Sequence, residues 1–108
     1  IMMRMGQTEE GTFQFAEKVR LKPNDPGARL NYGLALLDQG RSAEAAAQFA
    51  EVVRLQPDSA LGHYRLGLAL ASQGKSQEAI VHCREALDLQ PDFPDARKTL
   101  EQWTHSTN

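Results

Sequence analysis

The sequence predicts an all-α protein built from stacked helical hairpins, and two observations support that prediction. The first is an internal repeat, because the stretch 32–57 returns at 66–91 with a shift of 34 residues and about half of its positions unchanged. The second is the punctuation of the copies, in which Gly40 and Gly74, and then Pro57 and Pro91, occupy matching places. A period of this length is typical of supersecondary units that bury their apolar faces by stacking.

Composition narrows the class of protein. The 108 residues suffice for one domain or a segment of a repeat array, and they carry 12 Lys and Arg against 14 Asp and Glu, a formal net charge of −2. That balance supplies no positive field for nucleic acid or an anionic membrane, so we expect neither as a partner. The single cysteine cannot form an intramolecular disulfide. Cysteine content therefore does not decide between a reducing and an oxidising cellular compartment.

A further copy of the repeat precedes these two, but only its second half is present. Residues 14–23 and 48–57 share most of their sequence, and the apolar spacing predicts a helix from Thr8 to Lys22. The first five residues, IMMRM, are too few for a stable helix or a targeting segment. We therefore expect a piece of a longer chain, with residues 1–25 as a truncated first repeat that self-associates through exposed apolar side chains. Those side chains are Met2, Met3, Met5, Phe15 and Val19.

The rest of the chain is expected to divide into two full repeats, a capping helix and a frayed tail, at 26–59, 60–93, 94–105 and 106–108. The apolar periodicity predicts helices over 26–39, 43–55, 60–73, 77–89 and 94–104. Small polar residues that cap helices stand at the starts of five of the predicted helices, the one from Thr8 included, namely Thr8, Asp25, Ser42, Ser59 and Ser76. Gly40 is the residue type best able to close a helix in the left-handed conformation.

With this period and these helices, the chain resembles the tetratricopeptide repeat family over about residues 6–104. The family pattern contains a tryptophan, a leucine-glycine pair, a tyrosine, an alanine, an aromatic residue and a proline. The residues that match are Tyr32 with Gly33, Leu66 with Gly67, Leu36, Leu70, Ala45, Ala79, Phe15, Phe49, Pro23, Pro57 and Pro91. The places that depart from the pattern hold Arg29, His63, Cys83 and Gly11. The resemblance implies a right-handed α-solenoid with a peptide-binding concave face.

In this family the first helix of each hairpin lines the concave face, which places the candidate binding residues on helices 26–39 and 60–73. They are Leu30, Asn31, Leu34, Leu37, Asp38, Leu61, Tyr64, Arg65, Leu68 and Ser72. The leucines and the tyrosine suit an apolar helix or extended segment of a partner protein, inside a polar rim. The alternative is that the leucines only pack the helices together. The chain would then be a structural spacer in a longer array attached to an enzyme or membrane protein.

His63, His82 and Cys83 are the residue types that hold metals or act as nucleophiles. Their spacing argues against both roles, because the neighbours His82 and Cys83 point about 100° apart on a helix. Cys83 also stands where Phe15 and Phe49 stand in the other copies. We therefore interpret Cys83 as a buried thiol that packs like a small apolar side chain.

Paired carboxylates and near-periodic arginines are the remaining candidates for catalysis or nucleic-acid binding. The carboxylate pairs are Glu9 with Glu10, Glu85 with Asp88, and Asp92 with Asp95, and the arginines are Arg20, Arg54 and Arg84. The acidic residues fit solvated helix faces or first turns, and the arginines lie late in their helices, where they complement the negative helix end. The sequence therefore predicts a non-catalytic interaction scaffold with no metal and no cofactor.

Overall fold

Six helices and no strand make up residues 2–105, the part of the chain that the computed structural model describes, with side chains from residue 9 onward. The helices are α1 (Met2–Leu21), α2 (Pro26–Asp38), α3 (Ser42–Leu55), α4 (Ala60–Ser72), α5 (Ser76–Leu89) and α6 (Pro94–His105). Each helix packs against the next one along the chain. The all-α prediction is confirmed. The predicted fraying of residues 106–108 lies outside the described residues, and the division into repeats stays a prediction.

The hairpins stack in one direction, so the molecule is longer than it is thick. Its principal extents are 40, 32 and 22 Å. The radius of gyration is 14.3 Å, whereas a globular domain of about this length has roughly 13 Å. Among the described residues, no helix combines the length and the apolar composition that crossing a bilayer requires.

Two of the five predicted caps are present, those at Asp25 and Ser59. The Asp25 carboxylate accepts hydrogen bonds from the backbone N–H groups of Gly27 and Ala28, at 3.0 and 3.4 Å. The Ser59 hydroxyl accepts one from Gly62 at 2.9 Å. Both bonds satisfy N–H groups that have no partner inside their helices.

The predicted caps Ser42 and Ser76 are wrong, because each is already the first residue of its helix. The residues that precede them, Arg41 and Lys75, hold the cap positions without a side-chain cap bond. The reason lies in the preceding turns, where Gly40 and Gly74 adopt left-handed φ angles of 78° and 82°. After such a turn the backbone carbonyls of Arg41 and Lys75 already accept the first helical hydrogen bonds.

The first helix also begins earlier than predicted, at Met2 instead of Thr8. The backbone is helical from Met2 through to Leu21, so Thr8 lies inside the helix and the prediction that it caps a helix is wrong. A short helix is unstable in isolation because its nucleus is costly, whereas residues added to an existing helix each gain a backbone hydrogen bond. Residues 2–5 therefore extend α1.

The core consists of two buried clusters that follow the stack. The first joins α2 to α5 and comprises Leu36, Ala45, Phe49, Leu66, Ala69, Leu70 and Ala79. The second joins α4, α5 and α6 and comprises Ala60, Tyr64, Cys83, Ala86 and Ala96. Trp103 of α6 packs against both clusters. The last helix therefore closes one end of the core.

Candidate functional site

The five candidate binding residues on α2 divide into an apolar inner set and a polar outer set. Leu30, Leu34 and Leu37 are half-buried, and they pack against the first core cluster. Asn31 and Asp38 are exposed. The leucines therefore contribute both to the core and to the surface. The sequence left open whether they bind a partner or only pack the helices together, and their partial burial is compatible with both.

The five candidates on α4 are more deeply placed than those on α2. Leu61 is 39% exposed and Ser72 is exposed, whereas Leu68 and Arg65 are half-buried. Tyr64 is only 8% exposed. Its ring meets the edge of Phe93 at a centroid distance of 5.1 Å, and its hydroxyl lies 3.2 Å from the Thr99 hydroxyl.

Tyr64 is therefore a packing residue between α4 and α6, and its expected place as an exposed aromatic anchor is corrected. The loop before α6 brings Phe93 onto the tyrosine ring, and Thr99 lies on α6 itself. A helix without this neighbour would leave Tyr64 open. The repeat places α6 one period after α4, but it does not show that Phe93 and Thr99 cover Tyr64, because other residue types hold those places in the preceding copy.

Two open clefts lie between α1 and α2, and they meet at Asn31. The larger has a volume of about 510 Å³ and is lined by Gly11, Thr12, Phe15, Asn31, Leu34, Ala35 and Asp38. The smaller has a volume of about 440 Å³ and is lined by Lys18, Leu21, Lys22, Asp25, Gly27, Ala28 and Asn31. Together they form one groove along α2, called the α1/α2 groove below. Three predicted residues line this groove, and the five predicted residues on α4 line neither cleft.

Sequence reasoning missed the α1 wall of this groove. Phe15 and Val19 were expected to be an exposed patch, but Phe15 is half-buried and Val19 is buried against the rest of the protein. The exposed apolar side chains of α1 are instead Phe13 and Leu21, at 66% and 67% exposure. The methionines at 2, 3 and 5 have side chains outside the described residues.

A side-chain hydrogen bond fixes the distance between the two walls. The Gln39 amide at the end of α2 donates to the Thr12 hydroxyl of α1. Thr12 is buried although it is polar. The hydrogen bond from Gln39 is one interaction that compensates for the burial of its hydroxyl. Because Thr12 also lines the larger cleft, the bond holds α1 at the depth that keeps the cleft open.

The groove has opposite charges at its two ends. Lys18 and Lys22 line the smaller cleft and outnumber the one carboxylate there, Asp25, which caps α2, and Asp38 lines the far end of the larger cleft. Within residues 9–105, the ion pairs join Glu17 to Arg20, Arg41 to Glu44 and Glu51 to Arg54, so the groove lysines and Asp38 take part in none of them. These charges remain open to a ligand.

The arginines considered for nucleic-acid binding are largely occupied by carboxylates of their own helices. Arg20 lies 2.9 Å from Glu17, and Arg54 lies 2.9 Å from Glu51. The hydrogen bond with Arg54 lowers the pKa of Glu51. Exposed pairs of this kind contribute little to stability, and they also reduce the positive charge that these side chains present.

Arg65 is the one basic residue of the predicted site, and its guanidinium is incompletely satisfied. Its Nε is buried and has no hydrogen-bond partner. The guanidinium carbon lies 5.8 Å from the centroid of the Tyr64 ring. A buried donor without an acceptor is costly, and Nε itself is closed to solvent, so this atom does not mark a ligand contact.

The prediction of a buried thiol at Cys83 is confirmed. Cys83 is fully buried, its Sγ donates to the Ala96 carbonyl at 3.2 Å, and burial raises the pKa of the thiol. His63 and His82 stack on each other between α4 and α5. In the described part of the chain, no three His, Cys, Asp or Glu side chains come close enough to hold a metal ion.

Comparison with known proteins agrees with this architecture. The family profile described as tetratricopeptide repeat matches residues 10–60 and 30–94. No curated protein sequence matches significantly. The two matched ranges overlap and together span most of the chain.

Three solved structures illustrate the likeness. YrrB, a tetratricopeptide protein with an unusual peptide-binding site, is 28% identical with a TM-score of 0.84, over 93% of this chain and 52% of YrrB. The O-GlcNAc transferase of Thermobaculum terrenum is 27% identical with a TM-score of 0.85, over 95% of this chain and 20% of the transferase. The first tetratricopeptide domain of Spaghetti, solved with an HSP90 peptide, is 20% identical with a TM-score of 0.88, over 97% of this chain and 83% of the Spaghetti chain.

This chain spans about half the length of YrrB. The predicted α-solenoid of helical hairpins is confirmed by these likenesses. Repeats of this kind are generally non-catalytic interaction modules, although some are joined to enzymes, as in the transferase. Since the family profile covers more than half of the sequence and the fold agrees, the chain belongs to the tetratricopeptide repeat family.

Proposed function

We propose that the chain is a protein-interaction module that binds an apolar helix or extended segment of a partner along α2. The observation that carries the proposal is the α1/α2 groove, in which two clefts of about 510 and 440 Å³ meet at Asn31. Clefts of this size accept several side chains of a peptide. Of the three half-buried leucines of α2 that the sequence had selected, Leu34 lines the groove, whereas Leu30 and Leu37 pack on the core without lining it.

The lining of the groove suggests the chemistry of the partner. Phe15, Leu21 and Leu34 supply apolar wall, and Asn31 supplies amide groups that can bond a peptide backbone. Lys18 and Lys22 outnumber Asp25 at one end and favour an acidic residue, whereas Asp38 at the other end favours a basic one. We expect a segment with apolar side chains in its middle and opposite charges at its ends, bound in one direction.

The exposed part of α4 extends this surface in the proposal. Leu61, Leu68 and Ser72 would contact the partner beyond the groove, and Arg65 would donate to a carbonyl or carboxylate of the bound segment. Arg65 is half-buried, so part of its side chain reaches the surface and could make that contact. YrrB, which is 28% identical and has a peptide-binding site, supports the general class of ligand.

The proposal is tested by selecting peptides from a displayed library with the intact chain and then challenging the selected peptides with two matched variants. Asn31→Arg places a long side chain where the clefts meet, at an exposed position that tolerates it. Asn24→Arg makes the same chemical change in the exposed loop before α2, outside both clefts. We expect Asn31→Arg to weaken binding at least about tenfold, since clash and lost contacts of about 1.4 kcal/mol suffice.

Two results would favour the structural spacer over the interaction module. One is a library that yields no peptide above background. The other is a selected peptide whose affinity falls equally with Asn24→Arg and Asn31→Arg, which would place its site outside the groove. The spacer already has some physical support, because Leu30, Leu34 and Leu37 pack on the core and Tyr64 is buried.

We also propose that copies of the chain self-associate through α1. The expected exposed residues were partly incorrect, but Phe13 and Leu21 leave two large apolar side chains on the surface of this helix. Each would lose unfavourable contact with water on pairing.

A further inference from the structure

A chain of hydrogen bonds joins the α3–α4 turn to α4 and α5. His63 on α4 places its Nε2 atom 3.1 Å from the backbone carbonyl of Pro57. Its Nδ1 atom lies 3.1 Å from Nδ1 of His82 on α5. The two rings stack with centroids 5.4 Å apart and an interplanar angle of 25°. His63 is 8% exposed, so this bridge lies mostly inside the protein.

The preceding hairpin makes the same bridge from different residues. There Arg29 on α2 donates from Nε to the carbonyl of Pro23 at 2.9 Å, and its NH1 donates to the Gln48 side chain of α3 at 3.0 Å. Pro23, Arg29 and Gln48 stand 34 positions before Pro57, His63 and His82, respectively. The bridge is thus a repeated structural feature of the fold.

The third copy supports the donor role of this position. Arg97 on α6 donates to the carbonyl of Pro91 at 2.7 Å, one period after His63 and Pro57. Two of the three copies therefore use an arginine, which stays charged at every ordinary pH. Among the residue types that form these bridges, histidine is the one whose ordinary pKa lies near neutral pH.

The protons of the histidine bridge can be assigned from its acceptor. A backbone carbonyl only accepts, so Nε2 of His63 carries a proton when the Pro57 bond is made. Neutral His63 then has a bare Nδ1, and His82 donates to it from its own Nδ1–H. A proton added to Nε2 of His82 leaves both bonds intact. If both rings are doubly protonated, two N–H groups and two positive charges oppose each other across 3.1 Å.

We propose that the His63–His82 bridge is an acid-sensitive clasp, a titratable form of the Arg29–Gln48 bridge that holds α4 to α5 until both rings are protonated. Opening of the clasp loosens α4, which carries Leu61, Arg65 and Leu68 of the predicted binding surface. Acid therefore weakens the end of the stack that contains α4 and α5, while the α2–α3 hairpin keeps its bridge.

The surroundings of His82 agree with this behaviour. Burial, followed by the charge of His63 on α4, lowers the pKa of His82, and the carboxylates of Glu78 and Glu85 on α5 oppose that change without cancelling it. The Pro57 carbonyl is the group that the α3–α4 turn contributes. Because the unfolded histidine titrates near about 6.5, the unfolded chain binds more protons than the folded one below that pH. Stability is therefore complete above about pH 6.5 and decreases as the pH falls.

The test replaces the two histidines by the residue types that form the equivalent bridge in the preceding hairpin, arginine and glutamine. Urea unfolding is followed by circular dichroism at about pH 7.5 and about pH 5.5, a range in which unperturbed carboxylates, with pKa values near about 4, remain ionised. The wild-type midpoint should be lower at the acidic pH. The double variant His63→Arg with His82→Gln should fold and lose most of that shift, because an arginine donates to a glutamine at either pH.

Two further measurements test the clasp even if the double variant folds poorly. The single variant His82→Gln should also lose most of the shift, since its amide can turn to face either form of His63, whereas His105→Gln on the exposed end of α6 should retain it. Nitrogen-15 spectra of the wild-type histidines should show His63 protonated at Nε2 and His82 at Nδ1. Equal acid shifts in the wild type and His82→Gln, or both rings in the opposite tautomers, would overturn the clasp.

Discussion

Gly33 shows how one missing side chain decides the distance between two helices. A Cβ atom added there would lie 2.6 Å from the ring of Phe49, which is fully buried on α3. The equivalent Gly67 would place its Cβ 3.1 Å from the backbone carbonyl of Ala79. Glycine inside a helix costs about 1 kcal/mol relative to alanine, so close approach is the compensating gain at both positions.

We predict that Gly33→Ala destabilises the protein by about 1–3 kcal/mol, because the rigid Phe49 ring cannot move aside in a packed core. Gly11→Ala is the matched control, since nothing lies within 4 Å of its added Cβ, and there the better helix former should be neutral or stabilising by up to about 1 kcal/mol. Denaturant midpoints measure both. Equal effects of the two substitutions would show that the Phe49 contact is unimportant.

At the scale of the helix, the residue types near the helix ends predicted most of the helix boundaries correctly. Pro26 and Pro94 begin helices, and Gly40 and Gly74 close them with left-handed backbones, all of which the sequence could indicate. Ser42 was misassigned because a serine near a helix start fits both the cap and the first turn. The turn geometry after the glycine decides between them, and that geometry is not visible in residue types.

The corrected caps give a paired prediction. Asp25→Ala should cost about 0.5–2 kcal/mol, since it removes the acceptor for the first N–H groups of α2. Ser76→Ala should be close to neutral, because this exposed serine is already inside α5 and Lys75 holds the cap position. Thermal melts of the two variants provide the measurement. A loss of stability in Ser76→Ala comparable to that in Asp25→Ala would restore the serine as a cap.

At the scale of the whole molecule, the repeat period predicted which helices pack together but not which side chains fill each contact. The α2 candidates Asn31, Leu34 and Asp38 do line a groove, because their spacing along one helix face is a local property. Tyr64 does not remain open, because α6 and Phe93 cover it. Periodicity gives the positions of the helices, whereas the side chains at equivalent positions differ from copy to copy and fill the contacts differently.

The exposed side chains of α1 give the last prediction, which concerns assembly. Phe13→Ser with Leu21→Ser removes the two most exposed large apolar groups among the described residues, and it should lower the apparent mass measured by sedimentation or light scattering at high concentration. Val81→Ser on α5 is the control, since that side chain is similarly exposed at 62% but lies far along the sequence from α1. Self-association through α1 requires the double variant to dissociate while Val81→Ser does not. A wild-type protein that remains monomeric at every concentration contradicts it.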